Sequence, residues 1–186
     1  GGNPLLKPEE ADTYTFGVVL TPTFVPNLSL SLDYYNIKVD GYISSVDPYL
    51  TINQCVETGN PYFCSLFHRD PKSGVLFGTD GYVIGTTLNT GYLKTSGIDV
   101  SANYRFELED VGFKNAGRVN IDLVGTYLDK SVTKQLPGLG TFDCAGLFGP
   151  TCGQPTPHWR HNLRTTWEIP WSNATLSLNW RYFGGT

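Results

Sequence analysis

Residues 173–183 read Asn-Ala-Thr-Leu-Ser-Leu-Asn-Trp-Arg-Tyr-Phe, and their apolar and polar side chains alternate from one position to the next. The even-numbered positions hold Ala, Leu, Leu, Trp and Tyr, whereas Thr, Ser, Asn and Arg occupy positions 175 to 181 between them. Successive side chains of a β-strand point to opposite faces of a sheet. The pattern therefore predicts a strand that has one apolar face and one polar face.

Five further stretches show the same alternation, so the sequence predicts an antiparallel all-β fold of about six long strands. These stretches are residues 13–21, 28–39, 92–106, 118–128 and 158–169. In the second of them the apolar positions change parity after Tyr35, which indicates a β-bulge. No helical period competes with the strands anywhere in the chain.

Short and long connections alternate between the predicted strands. Residues 22–27 and 170–172 form short turns and residues 107–117 a moderate one, whereas long loops cover about residues 40–91 and 129–157. If neighbouring strands pair as antiparallel hairpins, both long loops leave the sheet at one end, as in outer-membrane barrels. The connections therefore favour an antiparallel transmembrane β-barrel segment.

A soluble β-sandwich also has strands with one apolar face, so the alternation leaves two architectures open. Two details favour the membrane barrel. The strands reach the ~9–11 residues that cross a bilayer at a tilt, and aromatic side chains lie towards strand ends on the apolar face, as in an aromatic girdle. The residues that we assign to the lipid face are Tyr34, Trp159, Trp167, Trp180 and Tyr182.

The composition excludes several classes of function and of structure. A formal net charge of -4 provides no basic footprint for nucleic acid. No apolar run approaches the ~20 residues of a transmembrane helix, so a membrane location requires strands. The chain contains no Met and opens without a signal peptide, and we interpret its start as a cut within a longer polypeptide.

The four cysteines form two close pairs, Cys55 with Cys64 and Cys144 with Cys152, each in a segment rich in Gly, Pro and aromatic residues. We expect one local disulfide in each long loop, which places the loops in an oxidising compartment. Crossed pairing would require the two loops to interlock. A zinc site is the competing interpretation, and we set it aside because the CX8C and CX7C spacings lack regular histidine partners.

Five sequence elements follow one another across nearly the whole chain. They are Asn3-Pro-Leu-Leu-Lys-Pro-Glu9 with Tyr14-Thr-Phe-Gly17, Asp33-Tyr-Tyr-Asn-Ile-Lys-Val-Asp-Gly-Tyr-Ile-Ser44, Thr90-Gly-Tyr-Leu-Lys-Thr-Ser-Gly-Ile-Asp-Val100, Trp159-Arg-His-Asn162 and Arg181-Tyr-Phe-Gly184. In content and in order they resemble late barrel strands of TonB-dependent outer-membrane receptors. The first resembles the family's GNPxLxPE element, and the third its NxGxxxxxGxD strand. Because all five occur in order, the resemblance is specific.

The resemblance implies an energised uptake transporter of the bacterial outer membrane, and no enzyme. Members of the family import scarce nutrients such as ferric siderophores, cobalamin or oligosaccharides, driven by the inner-membrane proton gradient through TonB. Residues 1–186 would be a partial β-barrel domain that lacks the plug domain, the TonB-contacting box and the terminal strand. The implied partners are outer-membrane lipid, the plug domain, TonB and a small nutrient ligand of unknown identity. We expect no cofactor and no nucleic-acid partner.

Charged side chains on the polar faces of the predicted strands would line the barrel lumen. This set comprises Asp99, Arg105, Arg118, Asp122, Arg160, Arg164 and Arg181. The arginines could steer an anionic substrate or form salt links to the plug, and we favour plug contacts and hydration. No catalytic constellation is present. His158 and His161 would face opposite sides of a strand, so we expect no shared metal.

The segment that follows Cys55 combines aromatic rings with a cation. Its candidate ligand-contacting residues are Tyr62, Phe63, Phe67, His68 and Arg69. The alternative is a loop cluster that packs on itself around the disulfide, and we favour this alternative. Closure of a loop of this size contributes ~2–3 kcal/mol in the entropy model of disulfides.

The competing function is that of a secreted β-sandwich whose disulfide-pinned loops recognise carbohydrate or a protein. Detergent separates the two hypotheses, because a barrel segment partitions into detergent whereas a sandwich is a monodisperse soluble monomer. For the isolated segment we expect self-association, since two unpaired sheet edges and an apolar face would otherwise contact water.

Overall fold

The computed structural model describes residues 3–78, 80–85, 87–89, 91–134 and 140–186. Thr90, the first residue of one receptor-like element, lies outside the described residues, as do residues 135–139 of the second long loop. The chain divides into two compact units. Unit 1 comprises residues 1–11, 39–93 and 133–141, and unit 2 comprises residues 12–38, 94–132 and 142–186.

Six long strands form the main sheet and follow one another in chain order. They are β1 (Glu10–Leu20), β2 (Leu28–Asp40), β3 (Tyr92–Glu107), β4 (Arg118–Lys134), β5 (Trp159–Ile169) and β6 (Ala174–Phe183). Each strand is hydrogen-bonded to its neighbour in sequence, and β4, β5 and β6 pair antiparallel. The predicted antiparallel all-β fold of six long strands is confirmed.

The strand boundaries lie close to the alternating stretches, except at the end of β4. This strand continues to Lys134, well past the predicted end at residue 128. Its extension pairs with the short strand Phe142–Asp143. The backbone N–H of Cys144 donates to the Ser131 carbonyl at 2.9 Å. Because residues 129–134 are mostly polar, pairing rather than alternation extends the strand.

The short connections use residues that tolerate a left-handed backbone. Asn27 precedes β2 with a φ of 63°, and Asn173 precedes β6 with a φ of 48°. Asn adopts this conformation more readily than most residues that carry a Cβ. Between β3 and β4, a 3-10 helix at Leu108–Val111 ends at Gly112, whose φ is 99°. These turns bring consecutive strands side by side.

β2 continues through Tyr35, and the bulge predicted at this residue remains a prediction.

Unit 1 contains two helices, so the expectation that no helix competes with the strands is wrong for the first long loop. Helix α1 (Pro48–Thr58) begins after Asp47, whose carboxylate accepts a hydrogen bond from the backbone N–H of Leu50 at 2.8 Å. It ends at Gly59 in the left-handed conformation. Helix α2 (Pro61–Cys64) follows. Capping residues and prolines in the first helical turn define these helices. A search for periodic apolar residues does not detect such signals.

Short antiparallel strand pairs complete the two units. Unit 1 contains the pairs Ile43–Ser45 with Thr87–Asn89 and Phe67–His68 with Tyr82–Val83. Unit 2 contains the pair Leu147–Gly149 with Gly153–Thr156. In the part of the chain that the structure describes, no helix is long and apolar enough to cross a membrane.

Candidate functional site

The register of β4, β5 and β6 separates their side chains into two faces. Leu163 of β5 lies opposite Leu123 of β4 and Trp180 of β6. The next residue, Arg164, lies opposite Asp122. Because side chains alternate along each strand, these two rows point to opposite sides of the sheet. We call the side of Leu163 face A and the side of Arg164 face B.

Hydrogen bonds between side chains extend face B to β3. The Asn103 amide donates to the Asn120 carbonyl oxygen at 3.0 Å and to an Asp122 carboxylate oxygen at 2.6 Å. Asp99 accepts a hydrogen bond from the Thr126 hydroxyl at 2.8 Å. Asp99 and Asp122 therefore both have neutral donors on a neighbouring strand, and the polar side of the sheet is continuous from β3 to β6.

The five arginines of face B differ in their partners. Arg118 Nε donates to Glu107 Oε1 at 2.7 Å, and its Nη1 lies 3.8 Å from Glu168 Oε2. Arg164 donates to the Ser177 hydroxyl at 3.4 Å. Within the described ranges, Arg118 is the one member of this set that forms an ion pair, whereas Arg105, Arg160, Arg164 and Arg181 form none. The sequence brings all five to one face but does not indicate which of them are paired.

A depression of about 520 Å³ lies among side chains of β4, β5 and β6. Two rows of face B residues form its walls: Val124, Asn162 and Arg181 in one row, and Thr126, Arg160 and Phe183 in the other. The row between them consists of Gly125, His161 and Tyr182. Because the side chains of this middle row belong to face A, its backbone forms the floor of the depression.

Sequence reasoning missed two apolar residues of this depression. Val124 and Phe183 are 62% and 56% exposed on a face that is mostly polar. Each directly follows an apolar or aromatic residue of face A, so the alternation breaks at both positions. That break was the available signal, although it does not reveal that the two side chains border the same depression.

Aromatic side chains lie near both ends of β5 on face A. Near its start, the Trp159 indole N–H donates to His161 Nδ1 at 2.8 Å, and the His161 ring stacks on Tyr182 with centroids 5.3 Å apart. Trp180 meets the same imidazole edge-on at 5.1 Å. Near the end of β5, the Trp167 indole N–H donates to a backbone carbonyl of the β3–β4 connection at 2.7 Å. Four of the five predicted girdle residues, Trp159, Trp167, Trp180 and Tyr182, therefore belong to these two groups, whereas Tyr34 lies on β2.

The two nearby histidines have separate partners. His158 precedes β5, stacks on Tyr127 with centroids 6.0 Å apart, and places Nδ1 2.7 Å from the Leu128 carbonyl oxygen. His161 belongs to the aromatic group of face A. Nowhere in residues 3–78, 80–85, 87–89, 91–134 and 140–186 do three His, Cys, Asp or Glu side chains form a group that could hold a metal ion.

Both disulfides form as the cysteine spacing predicts. Cys55 is bonded to Cys64 with a Cα–Cα distance of 4.9 Å, and Cys144 is bonded to Cys152 with a Cα–Cα distance of 5.5 Å. The first lies in unit 1, within the connection from β2 to β3, and the second lies in unit 2, within the connection from β4 to β5. Each bond therefore closes a local loop.

The first disulfide adjoins a small hydrophobic core in unit 1. Phe63 is fully buried there, together with Val46 and Leu66. The Tyr62 ring packs edge-on against Phe63 with centroids 5.3 Å apart, and burial raises the pKa of Tyr62. Two of the five candidate ligand-contacting residues therefore stabilise the loop itself, which supports the self-packed interpretation for this pair.

The remaining three candidates lie outside that core. The Arg69 guanidinium lies over the Phe67 ring at 5.8 Å from its centroid. His68 stacks on Tyr82 with centroids 5.5 Å apart, and both side chains are exposed. The structure thus places one cation–π pair and one aromatic pair on the short hairpin that Phe67–His68 forms with Tyr82–Val83.

The model of the family described as TonB dependent receptor-like, beta-barrel matches residues 1–186 of the chain. The match includes all six long strands and both disulfide loops. No curated protein matches the chain, and no solved structure matches it.

Proposed function

The chain belongs to the family of TonB-dependent receptor-like β-barrels, and from this premise we propose that it forms a wall of an outer-membrane importer energised through TonB. The family is one of transporters of the bacterial outer membrane and not of enzymes. Membership of this family implies a plug domain, TonB and a nutrient ligand in the full-length protein. The cargo that we propose is a small nutrient of the siderophore, cobalamin or oligosaccharide class.

The observation that carries the proposal is the exposed apolar side of the sheet. On face A of β6, Leu176, Leu178 and Trp180 are 62%, 72% and 55% exposed. Such a surface is costly in water, whereas the hydrocarbon of a bilayer solvates it. We therefore assign face A to lipid and its aromatic groups to the two membrane interfaces. Face B is then the wall of the barrel lumen, and the side chains of the five arginines, Asp99 and Asp122 point into the water that fills the lumen.

A secreted β-sandwich would need a second sheet packed on face A. The exposure of Leu178, at 72%, does not agree with such packing. Membership of the barrel family argues against the sandwich as well. We retain only the transporter.

We propose that further strands pair with β1 and β6. Both lie at the edges of the described sheet, and a sheet that spans a bilayer leaves no edge unpaired because lipid cannot satisfy backbone hydrogen bonds. Residues 1–186 would then be a partial barrel, with the plug inside it. By the same reasoning, the 186-residue chain expressed alone should self-associate when detergent is absent. Light scattering checks this, and a stable detergent-free monomer contradicts it.

Tryptophan quenching tests the assignment of the two faces. We would place the chain in its full-length receptor, in detergent with brominated alkyl chains, and retain Trp180 as the sole tryptophan. Quenching of Trp180 is expected, because bromine atoms approach only the lipid side. The matched control replaces Trp180 by Phe and carries Asn179→Trp on face B. Stronger quenching at position 179 than at position 180 would reverse the assignment.

Uptake assays test the energisation and the cargo. The receptor should import cargo only in cells that have functional TonB and an intact proton gradient. Import by cells without TonB would contradict the proposed energy source while leaving outer-membrane transport in place. Competition among a ferric siderophore, cobalamin and an oligosaccharide then identifies the class of cargo.

A further inference from the structure

Two arginines reach the depression on face B from opposite walls. Arg160 lies opposite Phe183, and Arg181 lies opposite Asn162, so the two arginines are diagonal neighbours on β5 and β6. Diagonal residues of an antiparallel pair are ~7–8 Å apart, within reach of long side chains. Both arginine side chains can therefore approach one point above the floor of the depression.

The charges around this point are unbalanced. Arg118 and Arg164 lie opposite Glu168 and Asp122 on the neighbouring strands, whereas neither Arg160 nor Arg181 has a carboxylate opposite it. The Asp99 carboxylate of β3 approaches one wall, because it accepts a hydrogen bond from Thr126, the residue directly opposite Arg160. Neither guanidinium group has a carboxylate directly opposite it, and each presents a planar fork of N–H donors that can bind an oxyanion.

The walls of the depression also provide apolar contact. Val124 and Phe183 are exposed there, 62% and 56% respectively. A second depression of about 180 Å³ shares Thr126 and Arg160 with the first and extends it towards Tyr35 and Pro157. Together the two fall in the size range of small-molecule sites, ~300–1,000 Å³, which typically combine apolar walls with a few polar groups.

We propose that this depression, the Arg160–Arg181 subsite, binds a small ligand that carries a phosphate or carboxylate group on an aromatic or apolar body. The oxyanion lies between the two guanidinium groups, and the body rests on Phe183 and Val124. The inference deepens the proposed function and rests on it in one respect, since face B must be open to the lumen.

The dimensions of the subsite suit a small ligand. Its two walls are two residues apart along each strand, which corresponds to ~6.6 Å. A flat ring can stand between the walls, with its phosphate or carboxylate group at the two arginines.

Binding of an aryl phosphate to the intact receptor in detergent tests the proposal. The probe is 4-methylumbelliferyl phosphate, titrated calorimetrically in buffer free of phosphate and sulfate. Inorganic phosphate and neutral 4-methylumbelliferone are the comparison ligands. We expect each of them to bind at least about tenfold more weakly than the ester, because each supplies only half of the recognised chemistry.

Three arginine variants locate the site. Arg160→Gln and Arg181→Gln should each weaken binding of the ester by about tenfold or more. Arg105→Gln is the matched control, because it removes the same charge from the same face but lies outside the depression. It should change the affinity by less than about twofold. Heat-modifiable migration of each variant in gels verifies that the barrel is folded.

Three results would overturn the subsite. Equal weakening by Arg105→Gln would show that a diffuse positive field binds the ester. Equal affinity for the neutral ring would show that only apolar contact matters. Binding by a receptor that lacks the plug, but not by the intact receptor, would show that protein covers the arginines. The uptake assay distinguishes failure of the subsite from failure of the proposed function. A receptor that imports its cargo through TonB but does not bind the ester refutes the subsite alone.

Discussion

Substitution of Gly125 by Ala is expected to weaken the sheet at the aromatic group of face A. A Cβ at this position would lie 2.6 Å from Trp159 Cη2 and 2.8 Å from Cζ2. Gly125 lies within β4 and has no left-handed backbone, so the effect of the added methyl group is steric. The indole cannot move freely, because its N–H donates to His161.

The expected magnitude follows from three terms. Overpacking of a close contact costs ~1–3 kcal/mol, and loss of the Trp159–His161 hydrogen bond costs ~0.5–1.5 kcal/mol. Replacement of glycine by alanine returns ~0.4–1 kcal/mol by restricting the unfolded chain. We therefore expect Gly125→Ala to lower the free energy of unfolding by about 0.5–4 kcal/mol, most of it from the overpacked contact.

Urea unfolding of the receptor in detergent, followed by tryptophan fluorescence, measures the change. The matched control is Gly140→Ala, because no atom lies within 4 Å of a Cβ built there. In a Trp159→Ala background, Gly125→Ala should cost much less, since the two closest contacts are gone and only His161 Cβ, at 3.2 Å, remains. A stability equal to or above that of the wild type for Gly125→Ala alone, or an undiminished cost in the Trp159→Ala background, would refute the reasoning.

Three further perturbations test other parts of the molecule. Replacement of Cys55 and Cys64 by Ser should destabilise the loop of unit 1 by ~2–3 kcal/mol, so that limited proteolysis between residues 40 and 91 becomes faster; an unchanged rate contradicts this. Trp167→Phe removes the donor to the Ala116 carbonyl and should cost ~1 kcal/mol in urea unfolding, and no loss would show that water replaces the bond. Asp70 accepts two backbone N–H groups of its own turn, which lower its pKa from the ordinary 3.8. Its stabilisation is therefore present above the unfolded pKa and lost as pH falls through the folded pKa; an NMR titration midpoint at or above 3.8 would contradict it.

The long strands could be predicted because their signal is local. In β5 and β6 most residues carry a polarity that matches their side of the sheet, with Phe183 as an exception, so the alternation defines both the strand and its faces. The first long loop offered no comparable pattern. There, α1 is stabilised by the Asp47 cap and by a small core that contains Val46 and Phe63 and against which Leu88, distant in sequence, also packs. Hydrophobic period alone does not detect such a helix.

The candidate site was predicted in its parts rather than in its arrangement. The alternation correctly brings Arg160, Arg164 and Arg181 to one face. It does not show that Arg118 pairs with Glu107 and Glu168 whereas Arg160 and Arg181 have no acid opposite them. Those differences depend on which residues lie opposite one another, and register is a relation between two strands.

By itself, the sequence determined the period-two strands, the division into an apolar and a polar face, the local disulfides and the resemblance to the receptor family, since each of these depends on residues close together in the chain. Only the tertiary structure decided that Trp159 covers Gly125, that Phe63 is buried beneath the first disulfide loop, and that Arg160 and Arg181 meet across one depression. The physical reason is that side chains distant in sequence become neighbours only after strand register and loop packing are established. No local pattern of residues encodes which of them will be neighbours.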